Sequence, residues 1–413
     1  MSTDKSLLKH GSFLFIVGLV SNISNYFFHF YMTRKLSIPD YGTLYSLIAL
    51  LNILGVGSGA IQLITAQQIS SALARGETQR AKALFWFVFR WTFGAGLVLS
   101  LFYAAAIPFL KGYLQLESSH YLFLLMAPFL LSFLYPVLAG TLQGIQNFEG
   151  LGFNGLSVSL GRFLSGVLLV MVGMGLNGAL ISFPISYLTG IILGFVMIDR
   201  GLWSSNPSAE DEKALSIKNV FGHIGPTFLA LGLYQIICQI DTILVKHYFS
   251  PVDAGLYSSV SLVGKAFLYI PMAFTQVMVP KVSGEYAANR DTRHLLNKTI
   301  LYGFALCFAG ILVCVVFPQL ILRLVSGNKY LSVAKLLQFF PIAITPLALS
   351  GIFLNYHLAR LKIRFIISFL VITILYVILL TLFHATFTQV LWMVFICGTL
   401  LFVWNYYLIQ TEK

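Results

Sequence analysis

The chain reads as long apolar runs of about twenty residues divided by short polar breaks, the length a helix needs to cross a bilayer. The pattern predicts twelve spans, over residues 11–33, 42–65, 84–108, 120–142, 152–174, 177–198, 217–247, 255–279, 297–319, 332–355, 364–383 and 387–408. Each run exceeds the roughly 10 residues of a membrane β-strand, so the expected spans are helical. The longest polar connection, Asp199 to Asn219, divides the chain near its middle. It separates an expected amino-terminal six-helix lobe (1–200) and a cytoplasmic linker (201–216) from a carboxy-terminal six-helix lobe (217–413). The first run lacks a small-x-small cleavage site and is read as a retained span.

A polar hinge is written twice. RKLSIPDYGTLYSL begins at Arg34, and KHYFSPVDAGLYSSV begins at Lys246. One shift lays Asp40 on Asp253 and Gly42 on Gly255, and a single gap then brings Tyr45 onto Tyr257. After the second span of each half come two similar basic connections, Ile69 to Phe85 and Val282 to Lys298. They are expected to form short amphipathic helices near the cytoplasmic surface. Six spans is an even number, so both halves enter from one side and are parallel repeats, a known transporter plan. Pro39 and Gly42 suit a tight turn at a span junction. Asp40 and Asp253 stand where the second and eighth helices begin, either as helix caps or as groups that bind a cation or gate the pathway.

Composition agrees with the pattern. Hydrophobic residues make up 58% and charged residues 10%, against roughly 25% charged in soluble domains. The net charge of +12 is spread over short loops and span ends, which does not suggest nucleic acid. The four cysteines, Cys238, Cys307, Cys314 and Cys397, all lie in apolar runs without metal-ligand spacing. The terminal side of the spans collects Arg75, Arg80, Lys82, Arg290, Arg293, Lys298, Arg360, Lys362 and Arg364, among others, whereas the other side has only Arg34, Lys35, Lys111, Lys246, Arg323 and Lys329. The positive-inside rule then places both termini in the cytoplasm.

Ionisable groups at membrane depth are costly and call for a reason. Arg90 lies in the third predicted span, Arg162 midway along the fifth, Lys265 near the middle of the eighth, and Lys335 at the start of the tenth. Asp241, in the seventh, is the only carboxylate within the predicted spans, and His29 sits near the outer end of the first. Arg90, Arg162 and Lys265 are therefore candidate contacts for an anionic cargo, because guanidinium donors match phosphate geometry. Arg90 could equally snorkel to the headgroups, and Lys335 could be interfacial. Asp241 and Lys265 could neutralise each other or exchange partners in a coupling step, and His29 could be proton-sensitive or structural. The hinge register pairs Asn52 with Lys265 and Phe28 with Asp241, so the halves have diverged in chemistry. Pro128, Pro136, Pro184, Pro271, Pro341 and Pro346 interrupt spans and bend or break helices there.

No Walker A sequence, no HExxH and no paired membrane carboxylates occur, which argues against an enzyme. No metal site or cofactor is expected. Parallel halves with cations at depth and proline-broken helices favour alternating access.

The segment GSFLFIVGLVSNISNYFFHFYMTRKLSIPDYGTLYSLIAL, Gly11 to Leu50, carries a resemblance. Its apolar span, followed by Arg34, Leu36 and the turn Pro39-Asp40-Tyr41-Gly42, resembles bacterial polysaccharide-biosynthesis membrane proteins of the oligosaccharide flippase (Wzx-like) type. These belong to the superfamily of multidrug extruders and lipid II flippases. The resemblance implies an all-α exporter in the bacterial inner membrane that flips a polyprenyl-diphosphate-linked oligosaccharide through a central cavity. It implies coupling to a proton or sodium gradient. Expected partners are the lipid-linked oligosaccharide, membrane lipids, and the glycan polymerase or glycosyltransferases of the same pathway. The alternatives are a multidrug or organic-cation extruder and a non-transporting scaffold for glycan assembly.

Overall fold

A computed structural model of the chain describes residues 2–198, 225–360 and 362–411, all helical or in the turns between helices. The expected linker at 201–216, and the start of the seventh predicted span, lie outside the described residues. Among the described residues ten helices are long and apolar enough to cross a membrane, and a bent pair makes an eleventh, so the protein is a multi-pass, all-α membrane protein.

The helices are α1 (Ser2–Lys35), α2 (Ile38–Leu54), α3 (Gly57–Ala74), α4 (Thr78–Tyr113), α5 (His120–Gly144), α6 (Phe148–Met171) and α7 (Gly175–Met197). The second series is α8 (Gly225–Tyr248), α9 (Pro251–Gly264), α10 (Ile270–Ala287), α11 (Arg293–Val316), α12 (Pro318–Val325), α13 (Ala334–Ala359), α14 (Phe365–Leu382) and α15 (Phe387–Thr411). A 3-10 turn, Lys265–Leu268, joins α9 to α10, and the three together count as one span. The predicted span at 42–65 is the bent pair α2 and α3, broken at Gly55 and Val56.

Contacts divide the chain into two compact units. One holds α1 and α3 to α7; the other holds Ser37–Ile53, which is nearly all of α2, together with α8 to α15. In the first, α6 packs on α1 and α7, and α5 packs on α3, α4 and α7. In the second, α13 is the centre and contacts α10, α11 and α15. Helices α5 and α13 are the most buried of their units, and each carries two internal prolines. The hinge register also lays Pro128 on Pro341, an equivalence the sequence reading overlooked.

The basic connections are not separate surface helices. Ile69 to Ala74 is the last stretch of α3, and α4 starts at Thr78 after a turn in which Gly76 has φ 76°. Val282 and its neighbours finish α10, and Arg293 opens α11. These are ordinary membrane helices whose polar ends run past the apolar zone. Glu77 holds its turn by pairing with Arg75 at 3.3 Å and Arg80 at 3.2 Å.

Both copies of the hinge are the same capping device. Ser37 Oγ donates to Asp40 Oδ2 at 2.7 Å and accepts from the Asp40 N–H at 3.2 Å. Ser250 Oγ does the same with Asp253, at 2.7 Å and 3.1 Å. Each pair satisfies a backbone donor that the first helical turn leaves open. Pro251 adds a fixed φ at the start of α9, and Pro39 falls early in α2, before Asp40. The glycines of the two copies meet. A Cβ on Gly42 would lie 2.6 Å from Gly255 N, and one on Gly255 would collide with the Ile38 carbonyl oxygen. Helices α2 and α9 thus cross backbone to backbone, which a larger residue forbids. Tyr41, fully buried beside this crossing, stacks edge-on against Tyr330 with centroids 6.3 Å apart.

Gly255→Ala is expected to lower the melting temperature of the purified protein more than Ser250→Ala, whose lost cap costs about 1 kcal/mol. A Gly255→Ala protein that melts with the wild type would show that the close crossing is absent.

Candidate functional site

In the second unit, Asp241 and Lys265 come together. Helix α9 stops at Gly264, where a Cβ would strike the Phe340 ring, and the chain tightens into the 3-10 turn that begins with Lys265. That turn directs the lysine inward, and only 5% of Lys265 and 1% of Asp241 is exposed. Lys265 Nζ lies 2.8 Å from Asp241 Oδ1 and donates to Thr242 Oγ1 at 2.7 Å. Tyr257 OH donates to the other carboxylate oxygen at 2.8 Å. The cluster is electrically neutral, and both carboxylate oxygens have a donor. Burying either charge alone would cost far more than burying the pair.

The first unit has a different arrangement. Arg162, on α6, is half-buried, and its guanidinium lies over the Phe183 ring of α7 at 4.9 Å. Its Nε is buried with no hydrogen-bond partner. His29 of α1 and Tyr187, one turn beyond Phe183, both lie within electrostatic reach of it. Tyr135 of α5 completes the group, its ring centroid 6.0 Å from that of Tyr187. Among the described residues no carboxylate pairs with Arg162. The group combines a cation with an aromatic face and phenol donors, a set suited to an oxyanion.

Arg90 is not part of this group. It is exposed on α4, on the stripe that continues through Phe93, Leu97 and Leu101, opposite the buried stripe of Val88, Thr92, Gly96 and Ser100. Lys335 is exposed in the first turn of α13. Pro39, Asp40, Gly42, Asp253 and Gly255 form the capped crossing described above. All four cysteines are buried thiols, and no group of three His, Cys, Asp or Glu side chains could hold a metal among the described residues. The sequence reading missed Tyr257 and Thr242 as partners of Asp241, and Tyr187 and Phe183 as partners of Arg162. Tyr257 was visible as the match for Tyr45; for the others, helical spacing on α7 and the neighbour of Asp241 were the available signals.

The fold resembles that of solved membrane proteins. The chain superposes on an inward-facing multidrug resistance MATE family transporter of the MOP superfamily with a TM-score of 0.77, covering 95% of this chain and 96% of that one at 13% identity. It superposes on the lipid II flippase MurJ in an inward closed conformation with a TM-score of 0.72, covering 97% and 88% at 14% identity. Residues 31–335 match the family described as polysaccharide biosynthesis protein, and the chain belongs to that family. It is also 22% identical over 232 residues to an uncharacterized membrane protein of Methanocaldococcus jannaschii, a match covering 53% of this chain. The match takes in about half the length of that curated relative, 52%. The fold is one that solved membrane transporters share.

Lys265→Met strands the Asp241 carboxylate in the interior and is expected to destabilise the protein by roughly 3–5 kcal/mol. The double variant Asp241→Asn/Lys265→Met should recover most of that loss. Thermal unfolding of the three proteins in detergent measures it, and full stability of Lys265→Met alone would contradict the buried pair.

Proposed function

We propose that the chain is a twelve-span exporter working by alternating access, which flips a polyprenyl-diphosphate-linked oligosaccharide to the outer leaflet of the bacterial inner membrane. Helix α1 supplies the twelfth span, and both termini face the cytoplasm by the charge bias of the loops.

The observation that carries this reading is Arg162: a guanidinium among aromatic rings and phenols, with a buried Nε that has no acceptor and no carboxylate beside it among the described residues. Such a cation suits a diphosphate and repels an organic cation. Membership in a polysaccharide-biosynthesis family points the same way. In this scheme Lys265 becomes available to an anion when it leaves Asp241. Asp241 and His29 are the groups for coupling to a proton or sodium gradient. Glycosyltransferases or a polymerase of the same pathway supply and remove the cargo.

Overall shape favours a second reading. The multidrug transporter superposes better than the lipid II flippase, 0.77 against 0.72. That supports the export of drugs or organic cations, with Asp241 exposed to cargo whenever Lys265 swings away.

The two readings separate in proteoliposomes. With a short polyprenyl-diphosphate glycan bearing a fluorophore, wild-type protein should flip the probe and Arg162→Gln should flip it at least tenfold more slowly. Gradient-driven ethidium efflux by the wild type, with no movement of the glycan probe, would overturn the flippase reading and establish drug export.

A further inference from the structure

A second anion-attracting feature lies in the first unit, at the end of α1 remote from its amino terminus. There a cavity of about 390 Å³ is lined by Tyr31, Lys35, Val170, Met171, Gly173 and Gly175. It lies beside the turn that joins α6 to α7.

The turn alternates between the two hands of backbone. Val172 and Met174 are right-handed at φ −72°, whereas Gly173 and Gly175 are left-handed at φ 96° and 53°. This alternation forms a concave row of N–H groups of the kind that receives anions, and the space where a Cβ would stand on either glycine is open. Three of these donors are already engaged: Val172 N–H with the Leu168 carbonyl at 3.0 Å, and Gly173 N–H with that of Val170 and Met174 N–H with that of Leu169, both at 3.1 Å, so of the row only Gly175 N–H is open. The ladder of α7 begins when Gly178 N–H donates to the Met174 carbonyl at 3.3 Å. The N–H groups of Gly175, Leu176 and Asn177 precede it and have no acceptor in the helix. The residue before them is Met174, and no side chain caps this helix start.

Two side chains from a different helix converge on the same space. Lys35 is exposed, and among the described residues no carboxylate lies within ion-pair distance of it. The Tyr31 hydroxyl is buried without a hydrogen-bond partner. An ammonium, a phenol donor and the positive end of a 23-residue helix therefore meet at one cavity. No acidic side chain lines it. The neighbouring Met171 and Val172 are 68% and 82% exposed, giving the mouth an apolar lip.

We propose that this cavity is an oxyanion site that binds a phosphate or diphosphate group, with Lys35 supplying charge, Tyr31 a hydroxyl donor, and the first turn of α7 backbone N–H donors. The ligand chemistry is the same whether the group belongs to a lipid headgroup or to a free ion. The site stands whichever cargo the protein exports.

The test uses the full-length protein in a non-ionic detergent, with melting temperature followed against sodium pyrophosphate and, separately, dihexanoyl phosphatidic acid. Sodium chloride at matched ionic strength and dihexanoyl phosphatidylcholine serve as controls. At least one anionic probe should raise the melting temperature of the wild type. Lys35→Gln should weaken the apparent affinity tenfold or more, and Tyr31→Phe severalfold. Both substitutions keep the shape of the side chain, so their unliganded melting temperatures should match the wild type. Lys111→Gln, at another cation of the same membrane face, should respond as the wild type. A shift with pyrophosphate identifies a free diphosphate-type ion as ligand; a shift with phosphatidic acid alone identifies a headgroup. No shift with either probe, an equal shift with phosphatidylcholine, or a response that Lys35→Gln retains in full overturns the site.

Discussion

The ion pair between Asp241 and Lys265 joins two side chains that are almost wholly buried. Many other interior hydroxyls settle their needs on their own helix. Thr92 donates to the Val88 carbonyl, Thr141 to Val137, Ser258 to Ala254 and Thr345 to Pro341. Such bonds tie no two helices together, whereas Ser58 donating to the Ser132 carbonyl and Asn154 donating to that of Gly190 do so in the first unit. The Asp241–Lys265 contact joins α8 to the break between α9 and α10, and Tyr257 and Thr242 close the remaining valences. A broken helix in an apolar medium exposes backbone that needs a reason to stay broken. Here the ammonium on the break is held by a carboxylate on the neighbouring helix, so the break and the ion pair maintain each other.

The two units solve the problem of buried charge in opposite ways. In the second, the charge is cancelled internally. In the first, Arg162 has an aromatic face, nearby phenols and an imidazole and, among the described residues, no carboxylate partner. The repeat makes this contrast clear, since the register that equates Asp40 with Asp253 sets Phe28 against Asp241. Shape is preserved at the capped crossings and at Pro128 and Pro341, whereas the ionic chemistry is confined to one copy or the other.

How much of this was legible in the sequence depends on the range of the interaction. Spans were visible because the apolar runs are continuous over a membrane thickness. The break at Gly55 and Val56 was not, because the run through it stays apolar. The polar ends of α3, α4, α10 and α11 looked like separate surface elements, since a helix leaving the hydrocarbon changes composition without changing conformation. The outward direction of Arg90 was readable from its spacing to Phe93, Leu97 and Leu101. The serines that cap the hinges, Ser37 and Ser250, sit in the same register as the aspartates but carry no charge to draw notice. The cavity beside Lys35 was hidden for another reason: its donors are backbone groups of Gly175, Leu176 and Asn177, and hydropathy says nothing about them.

The assignment of α2 has a consequence for biosynthesis. The ribosome delivers Tyr41, Gly42 and Leu44 early, yet the surfaces that bury them, around Gly255 and Tyr330, are translated only after the whole first unit has been made. Domains generally assemble in the order in which they emerge, but this segment cannot. For most of translation the protein carries a membrane helix with its tightest packing face unsheltered, and the second half of the chain must arrive before the first can be completed. The nascent chain therefore has a late checkpoint written into an early segment.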